Sequence, residues 1–578
     1  MAGQLLMHYS PAGGVASTLV FDNKTPAQAR LISHQTTMPD TKAELGSTYL
    51  ESTVFDQPET DTPWEYSIEA AKAANAREHE MTVTQALKLF PWAVVWSLVP
   101  SIAIVMEGYD TILITSFFGY PAFRRQFGEE HPGQGYQVAG SWQSALGAAG
   151  NLGCMIGALI NGYFIERWGF KRVFLLAQVL MCAFIFIPFF GTTAGLQVAG
   201  QVLCGLPWGM FATLGPAYSS ELCPMVLRPY LTAFVNVSFV MGQLVSAGVL
   251  QGLIDLNDQW SYRIPFALQW MWPVPLFIFG CFMPESPWWH VRRGQYDAAA
   301  KIVNRLLAAP DTETAHQTVA MMVHTNNLEQ EIKEGSYLDC FRGPNARRTE
   351  IACMALAGQV FSGLSFAYSP TYFFEQAGMG DDESYKLGLG GAGLAFVGTT
   401  VSALAMHRLG RRSMYVGGMA LMSVYLLVVG GLTPATRAHP SSTAVHWVQS
   451  VLCIIWIFTF SLTVGPIAWV IPPEVSSTRL RSKTVVLARN SYYIACVVAN
   501  GLEPLMMNPT AWDWRGYTGF LWFGTAFLTF VWSYFRLPET KGRTYEELEV
   551  MFGREVPTHE FGTYAVDAYY DDRQLARR

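Results

Sequence analysis

The stretch that most limits what this chain can become is Phe90 to Tyr120, FPWAVVWSLVPSIAIVMEGYDTILITSFFGY, an apolar run with two acids, Glu107 and Asp110, well inside it. A helix rises about 1.5 Å per residue and needs roughly 20 apolar residues to cross hydrocarbon, so the run predicts a membrane-spanning helix. Acids this far from either end sit at depth, where an ionised carboxylate is costly unless paired or hydrated, and that marks them as a functional site. Their spacing of three puts both on one helix face. Gly108 between them thins the helix for close approach by another helix or by a substrate.

The rest of the chain agrees with a membrane setting. Of 578 residues, 51% are hydrophobic and only 14% charged, too apolar for an ordinary soluble protein of this length. A net charge of −6 offers no basic field, which excludes a nucleic-acid partner. Nine scattered cysteines include no CxxC pair and no histidine at ligand spacing, so no metal, cofactor or disulfide framework is expected. No phosphate loop, HExxH or nucleophile elbow is present, and the chain is expected not to be an enzyme.

Twelve apolar runs follow a polar segment of residues 1–85, which is expected to be a largely disordered cytosolic tail. The runs predict an all-α membrane protein of twelve transmembrane helices in two six-helix halves, 86–283 and 350–537, joined by a polar linker, 284–349, with short amphipathic helices. A cytosolic C-terminal tail, 538–578, closes the chain. Loops holding Arg167, Lys171, Arg172, Arg228, Arg292, Arg293, Arg408, Arg411, Arg412, Arg481 and Arg536 alternate with loops poorer in Lys and Arg and richer in acids. By the positive-inside rule the basic set is cytoplasmic, with both termini and the linker. The plasma membrane is the expected location.

The halves repeat. Glu166-Arg167-Trp168-Gly169, ending at Arg172, is echoed by Arg408-Leu409-Gly410-Arg411-Arg412; Glu221 to Arg228 by Glu474 to Arg481; and Pro284-Glu285 by Pro538-Glu539. The offsets are 241, 253 and 254 positions. Three motifs in one order at nearly one offset identify two homologous halves. Topology alone explains the basic residues but not the recurring acids. These are expected to form charge-assisted pairs that tie the halves together in one state and break in the other, with each glycine giving a tight turn.

These residues resemble the sugar porters of the major facilitator superfamily, most closely the fungal maltose and α-glucoside permeases. The resemblance covers about residues 85 to 553. It rests on GYD (Gly108 to Asp110), ERWGFKR (Glu166 to Arg172), PESPWW (Pro284 to Trp289), GQVFSG (Gly358 to Gly363), VGPIAW (Val464 to Trp469), EVSSTRLRSK (Glu474 to Lys483) and PETKGRT (Pro538 to Thr544). It implies the twelve-helix fold, alternating access and a central sugar site. In that site Gln359 would hydrogen-bond hydroxyls, Trp469 would stack on the ring, and Asn236 would stand where many relatives have glutamine. An uncharged sugar, with hydroxyls and an apolar face, suits amides and an aromatic ring. Gln201, which stands where relatives carry Arg or Glu, and Ser365, at the usual asparagine, are also expected to face the substrate; Asn151 stands where relatives of that branch carry an acid and Val360 at the second glutamine.

The expected function is therefore secondary active transport of a sugar, an α-glucoside such as maltose, by proton symport. Asp110 is the expected proton carrier, with Glu107 beside it and Arg489, in the eleventh run, as counter-charge. The expected partners are the sugar, H+ and the lipid bilayer, and the protein is expected to be a monomer. The departures at Val360, Ser365 and Gln201 leave open a non-sugar metabolite, including its export, and those at Gln201 and Asn151 an uncoupled facilitator; a nutrient sensor would need a longer tail.

Overall fold

The computed structural model describes residues 68–564, apart from 132–134, 257, 332–335, 368–380, 439–442, 478–479, 510, 542 and 544. Among the described residues, nine helices are long and apolar enough to cross a membrane. Asp381–Leu409, Arg481–Met507 and Thr518–Arg536 occupy the eighth, eleventh and twelfth places in the series. They fall short of the apolar standard for physical reasons: the eighth opens with acids and glycines, the eleventh carries Arg481, Lys483, Arg489 and Glu503, and the twelfth is rich in Trp and Tyr.

The first span is interrupted. Pro100 lies in the helix Pro91–Ile102, where its ring cannot donate a hydrogen bond and crowds the preceding turn; the helix ends at Ile102 and a new one runs from Val105 to Phe117. Glu107 thereby falls in the first turn of the second piece, where unpaired N–H groups and the positive end of the helix dipole favour an anion. Other spans break as well. The sixth passes from Trp260–Leu268 through a tight turn at Gln269–Met271 to Pro273–Phe282. The seventh stops at Phe361, turns at Gly363 with φ of 93°, and resumes at Leu364. The tenth, Thr443–Leu462, restarts as Val464–Val475. Each break frees backbone and side chains at membrane depth, which is tolerated where protein or a cavity covers them.

Packing follows the internal repeat. The second span lies against the fourth within its half and against the eleventh of the other half; the fifth lies against the first and, across the halves, the eighth. The second and eighth spans are equivalent by the repeat, as are the fifth and eleventh, so the two cross-half contacts are one contact seen twice. Gly108 and Gly242 let the first and fifth spans touch: a Cβ on Gly108 would collide with the Phe239 carbonyl, and one on Gly242 with that of Val105. The C-terminal part of the first span and the turn after it, from Tyr109 to Phe123, share an apolar cluster with spans of the second half.

Two stretches differ from the sequence-based reading. Helices Ile68–Glu80 and Val83–Leu89 occupy the end of the segment expected to be a disordered tail. The first packs on the linker helix Thr312–Glu331, with Arg77 donating to Thr314 at 3.1 Å, so tertiary burial supplies what a polar composition concealed. A short hairpin, Glu129–His131 with Gly135–Gln137, follows the first span. Residues 1–67 lie outside the described residues.

Candidate functional site

The two acids of the first span are both buried, Glu107 at 7% and Asp110 at 4% exposure, and each has its own set of partners. Glu107 Oε1 accepts from Arg489 Nη2 at 3.2 Å and from the Tyr493 hydroxyl at 3.4 Å, so this ion pair joins the first span to the eleventh across the two halves. Arg489, 4% exposed, lies 4.1 Å from the Trp469 ring centroid, 4.6 Å from Tyr493 and 4.9 Å from Tyr492. Three aromatic faces around one guanidinium replace part of its hydration by cation–π attraction. Glu107 Oε2 and Arg489 Nε and Nη1 have no hydrogen-bond partner in this arrangement, so the pair has unused capacity on both sides.

Asp110 is held within the first half. Its Oδ1 accepts from Gln269 Nε2 at 2.9 Å and from Gln201 Nε2 at 3.3 Å. Two neutral amides thus surround the acid where a cation was missing from the sequence. Gln201, expected among the substrate ligands and as a departure from the relatives' Arg or Glu, donates here to the acid. Gln269 was not signalled, because one glutamine among many carries no mark until the bend of the sixth span aims it.

The expected sugar ligands are spread over the second half and the fifth span. Gln359 Nε2 donates to the Gly465 carbonyl at 2.7 Å and braces the seventh span on the break of the tenth. Trp469 lies beneath Arg489. Ser365 donates to Asn500 Oδ1 at 2.5 Å, and Asn500 Nδ2 in turn donates to the Gly147 carbonyl at 3.3 Å, linking the seventh, eleventh and second spans. Asn236 is buried on the fifth span, and two turns along, Gln243 is buried with its Nε2 unpartnered. Asn151 donates to Gly147 at 3.2 Å. Glu503 is a further buried acid, accepting from Trp522 Nε1 at 2.6 Å; it marked the edge of the eleventh run in sequence, but the helix continues to Met507 and encloses it.

The repeated acids at the Arg-rich ends stay within one half and its adjoining segment. Glu285 accepts from the backbone N–H of Phe170 at 2.7 Å and Lys171 at 3.1 Å, and Glu539 from those of Arg411 at 2.9 Å and Arg412 at 3.1 Å. Burial raises the Glu285 carboxyl above its ordinary range, opposed by the N–H groups of Ser286, Phe170 and Lys171. Gly169 and Gly410 both have φ of 87°, and a Cβ on either would land on the carboxylate that seats there, so glycine serves the turn and the close approach together. Glu221 pairs with Arg292 at 2.6 Å and with Ser286, rather than with Arg228, whose guanidinium turns back to the Cys223 carbonyl at 3.0 Å. Glu474 pairs with Arg411 at 2.9 Å and Thr540 at 2.5 Å. The expected half-to-half ties are therefore replaced in this conformation by ties within each half. Glu166, Arg167, Arg172 and Arg408 are exposed at these ends, and Arg481 opens the eleventh helix.

At the opposite ends the halves are joined. Tyr385 donates to the Ser116 carbonyl at 2.6 Å, Gln251 to Asp382 at 2.8 Å, and Asn508 to the Val138 carbonyl at 2.9 Å.

Two repeated six-helix halves, broken helices meeting at membrane depth, and a buried polar site on their seam define a membrane transporter of the major facilitator type. The profile of the sugar (and other) transporter family matches residues 96–552, and the chain belongs to that family. It is 35% identical over 506 residues to the general alpha-glucoside permease of Saccharomyces cerevisiae, covering 86% of this chain and 81% of that protein. It is 35% identical over 512 residues to the maltose permease MAL31 of the same yeast, covering 87% and 82%. The fold is similar to that of the proton:xylose symporter XylE bound to 6-bromo-6-deoxy-D-glucose, with a TM-score of 0.65 at 21% identity, covering 80% of this chain and 99% of that one. The chain is a multi-pass membrane transporter and not an enzyme.

Proposed function

We propose that this transporter imports an α-glucoside such as maltose together with a proton, from a plasma membrane in which both termini and the 284–349 linker face the cytoplasm. The observation that carries the coupling is the pair of buried acids in one short helix, one bonded across the halves to Arg489 and the other held by two glutamines. A carboxylate that meets each side of the membrane in turn can pick up a proton on one side and release it on the other, and sugar follows if it binds one protonation state better. Asp110 is the carrier in this reading. Glu107 and Arg489 form the electrostatic contact that must be re-made as the halves rock. The names of the yeast relatives support an α-glucoside; amides and aromatic faces without a free charge support an uncharged polyol.

A second reading, a carrier for a non-sugar metabolite on the same scaffold, is favoured by one observation. The Gln359 amide is committed to Gly465, and its neighbour Val360 is apolar, so the seventh span presents fewer hydroxyl ligands than a sugar site would use. Uptake of radiolabelled mono- and disaccharides by cells lacking their own sugar carriers, with and without a protonophore, separates the readings. Protonophore-sensitive accumulation of maltose or a related α-glucoside is the expected result; no accumulation of any sugar would overturn it.

A further inference from the structure

Gln269 sits where the sixth span breaks, in the turn between Leu268 and Pro273. This break is held to the first span at two neighbouring points. Tyr109 donates its hydroxyl to the Pro265 carbonyl at 2.9 Å, and Gln269 Nε2 donates to Asp110 Oδ1 at 2.9 Å. The Gln269 side chain is buried, and its Oε1 has no hydrogen-bond partner. Turning the amide exchanges this unpaired oxygen for an unpaired N–H, so the count of buried orphans is the same in both orientations and the protonation state of the acid decides between them. A protonated Asp110 favours the turned amide, because it carries an O–H that needs an acceptor.

We propose that Gln269 is a positioning residue that serves both protonation states of Asp110. Its amide donates through Nε2 to the carboxylate and, turned by half a revolution about its last side-chain bond, accepts through Oε1 from the carboxylic acid. A guanidinium or ammonium at this place would donate only and would hold the acid ionised. The proton comes from water on the side to which the site is open, binds an Asp110 carboxyl oxygen, and returns to water on the other side; no other bond is made or broken. The inference rests on Asp110 as proton carrier. The titratable groups around it are Glu107 and Tyr109 on its own span, Cys154 on the second and Cys204 on the fourth, with Arg489 and Tyr493 of the eleventh bonded to Glu107, so pH effects are read against an Asp110→Asn control.

Gln269→Met keeps the bulk and removes donor and acceptor together. A hydrogen bond to an ionised group is about twice as strong as one to a neutral group, so the loss falls harder on the ionised acid. The pH of half-maximal uptake is expected to rise by about one unit, a tenfold change in proton affinity, while substrate exchange at equal concentrations falls much less. A variant with reduced abundance but an unchanged pH profile shows a mere brace and overturns the proposal. Proton-coupled accumulation surviving in Asp110→Asn overturns the coupling reading itself, which is a distinguishable result. Should Gln269→Met fail to fold, wild-type protein labelled with carbon-13 glutamine gives the same test. Acidification should shift a glutamine side-chain carbonyl band in the infrared difference spectrum, in wild type and Gln201→Met but not in Asp110→Asn. No such shift in wild type overturns the proposal.

Discussion

Replacing Arg489 with methionine removes the cation from the seam between the halves and leaves Glu107 with the Tyr493 hydroxyl, 3.4 Å away, as its remaining donor among the described residues. At the observed 3.2 Å and an effective dielectric constant of about 20, the two charges attract by about 5 kcal/mol. Desolvation of both groups cancels much of that gain. The net worth of the pair is therefore small, while breaking it from one side strands a buried charge and costs about 3–5 kcal/mol. Arg489→Met should accordingly lower the thermal stability of detergent-solubilised protein, read by fluorescence-detected size-exclusion chromatography after heating. Adding Glu107→Gln should return most of the loss, because the stranded charge is gone. A double variant as unstable as Arg489→Met alone would show that Arg489 acts through its aromatic contacts with Trp469, Tyr492 and Tyr493, and would refute the ion-pair reasoning.

Other expectations follow from the same geometry. Trp469→Ala and Gln359→Ala should each weaken apparent substrate affinity about tenfold, or 1–2 kcal/mol, at near-normal membrane abundance; unchanged affinity in both would place the pocket elsewhere. Gly169→Ala and Gly410→Ala should each cost about 1–3 kcal/mol from the positive-φ backbone alone and more from displacing Glu285 or Glu539. Normal surface abundance and transport in both would contradict that close fit. Tags at either terminus or in the 284–349 linker should be reached by antibody only after permeabilisation, and labelling of intact cells would reverse the orientation.

What the sequence revealed, and what it hid, divides along physical lines. Glu107, Asp110 and Arg489 were legible because a charge inside an apolar run is expensive wherever the chain goes, but the sequence did not say which acid Arg489 meets: it pairs with Glu107, while Asp110 takes two amides. The repeated Glu285 and Glu539, with Gly169 and Gly410, were legible because duplication preserves order and spacing. Their partners were not: Glu221 takes Arg292 rather than Arg228 because the turn at Pro224 points Arg228 back at the end of its own preceding helix. Gln269, Gln243 and Asn500 escaped notice for a different reason. An uncharged amide in a membrane helix looks the same whether it braces two helices or faces a substrate, and only the breaks in the sixth and seventh spans decide which. Glu503 was lost to a boundary, since an acid at the end of an apolar run reads as the edge of the membrane until the helix is seen to continue past it.

The central claim, that a buried acid in the first span couples sugar to protons, is tested most directly by the external pH change when a transported sugar is added to a weakly buffered suspension of cells expressing the wild-type protein, followed by the same assay on Asp110→Asn. The account predicts alkalinisation of the medium with wild type, and none with Asp110→Asn even though that variant still exchanges sugar at equal concentrations on both sides. Sugar uptake by wild type with no accompanying pH change would contradict it and leave Asp110 as a gating or structural acid.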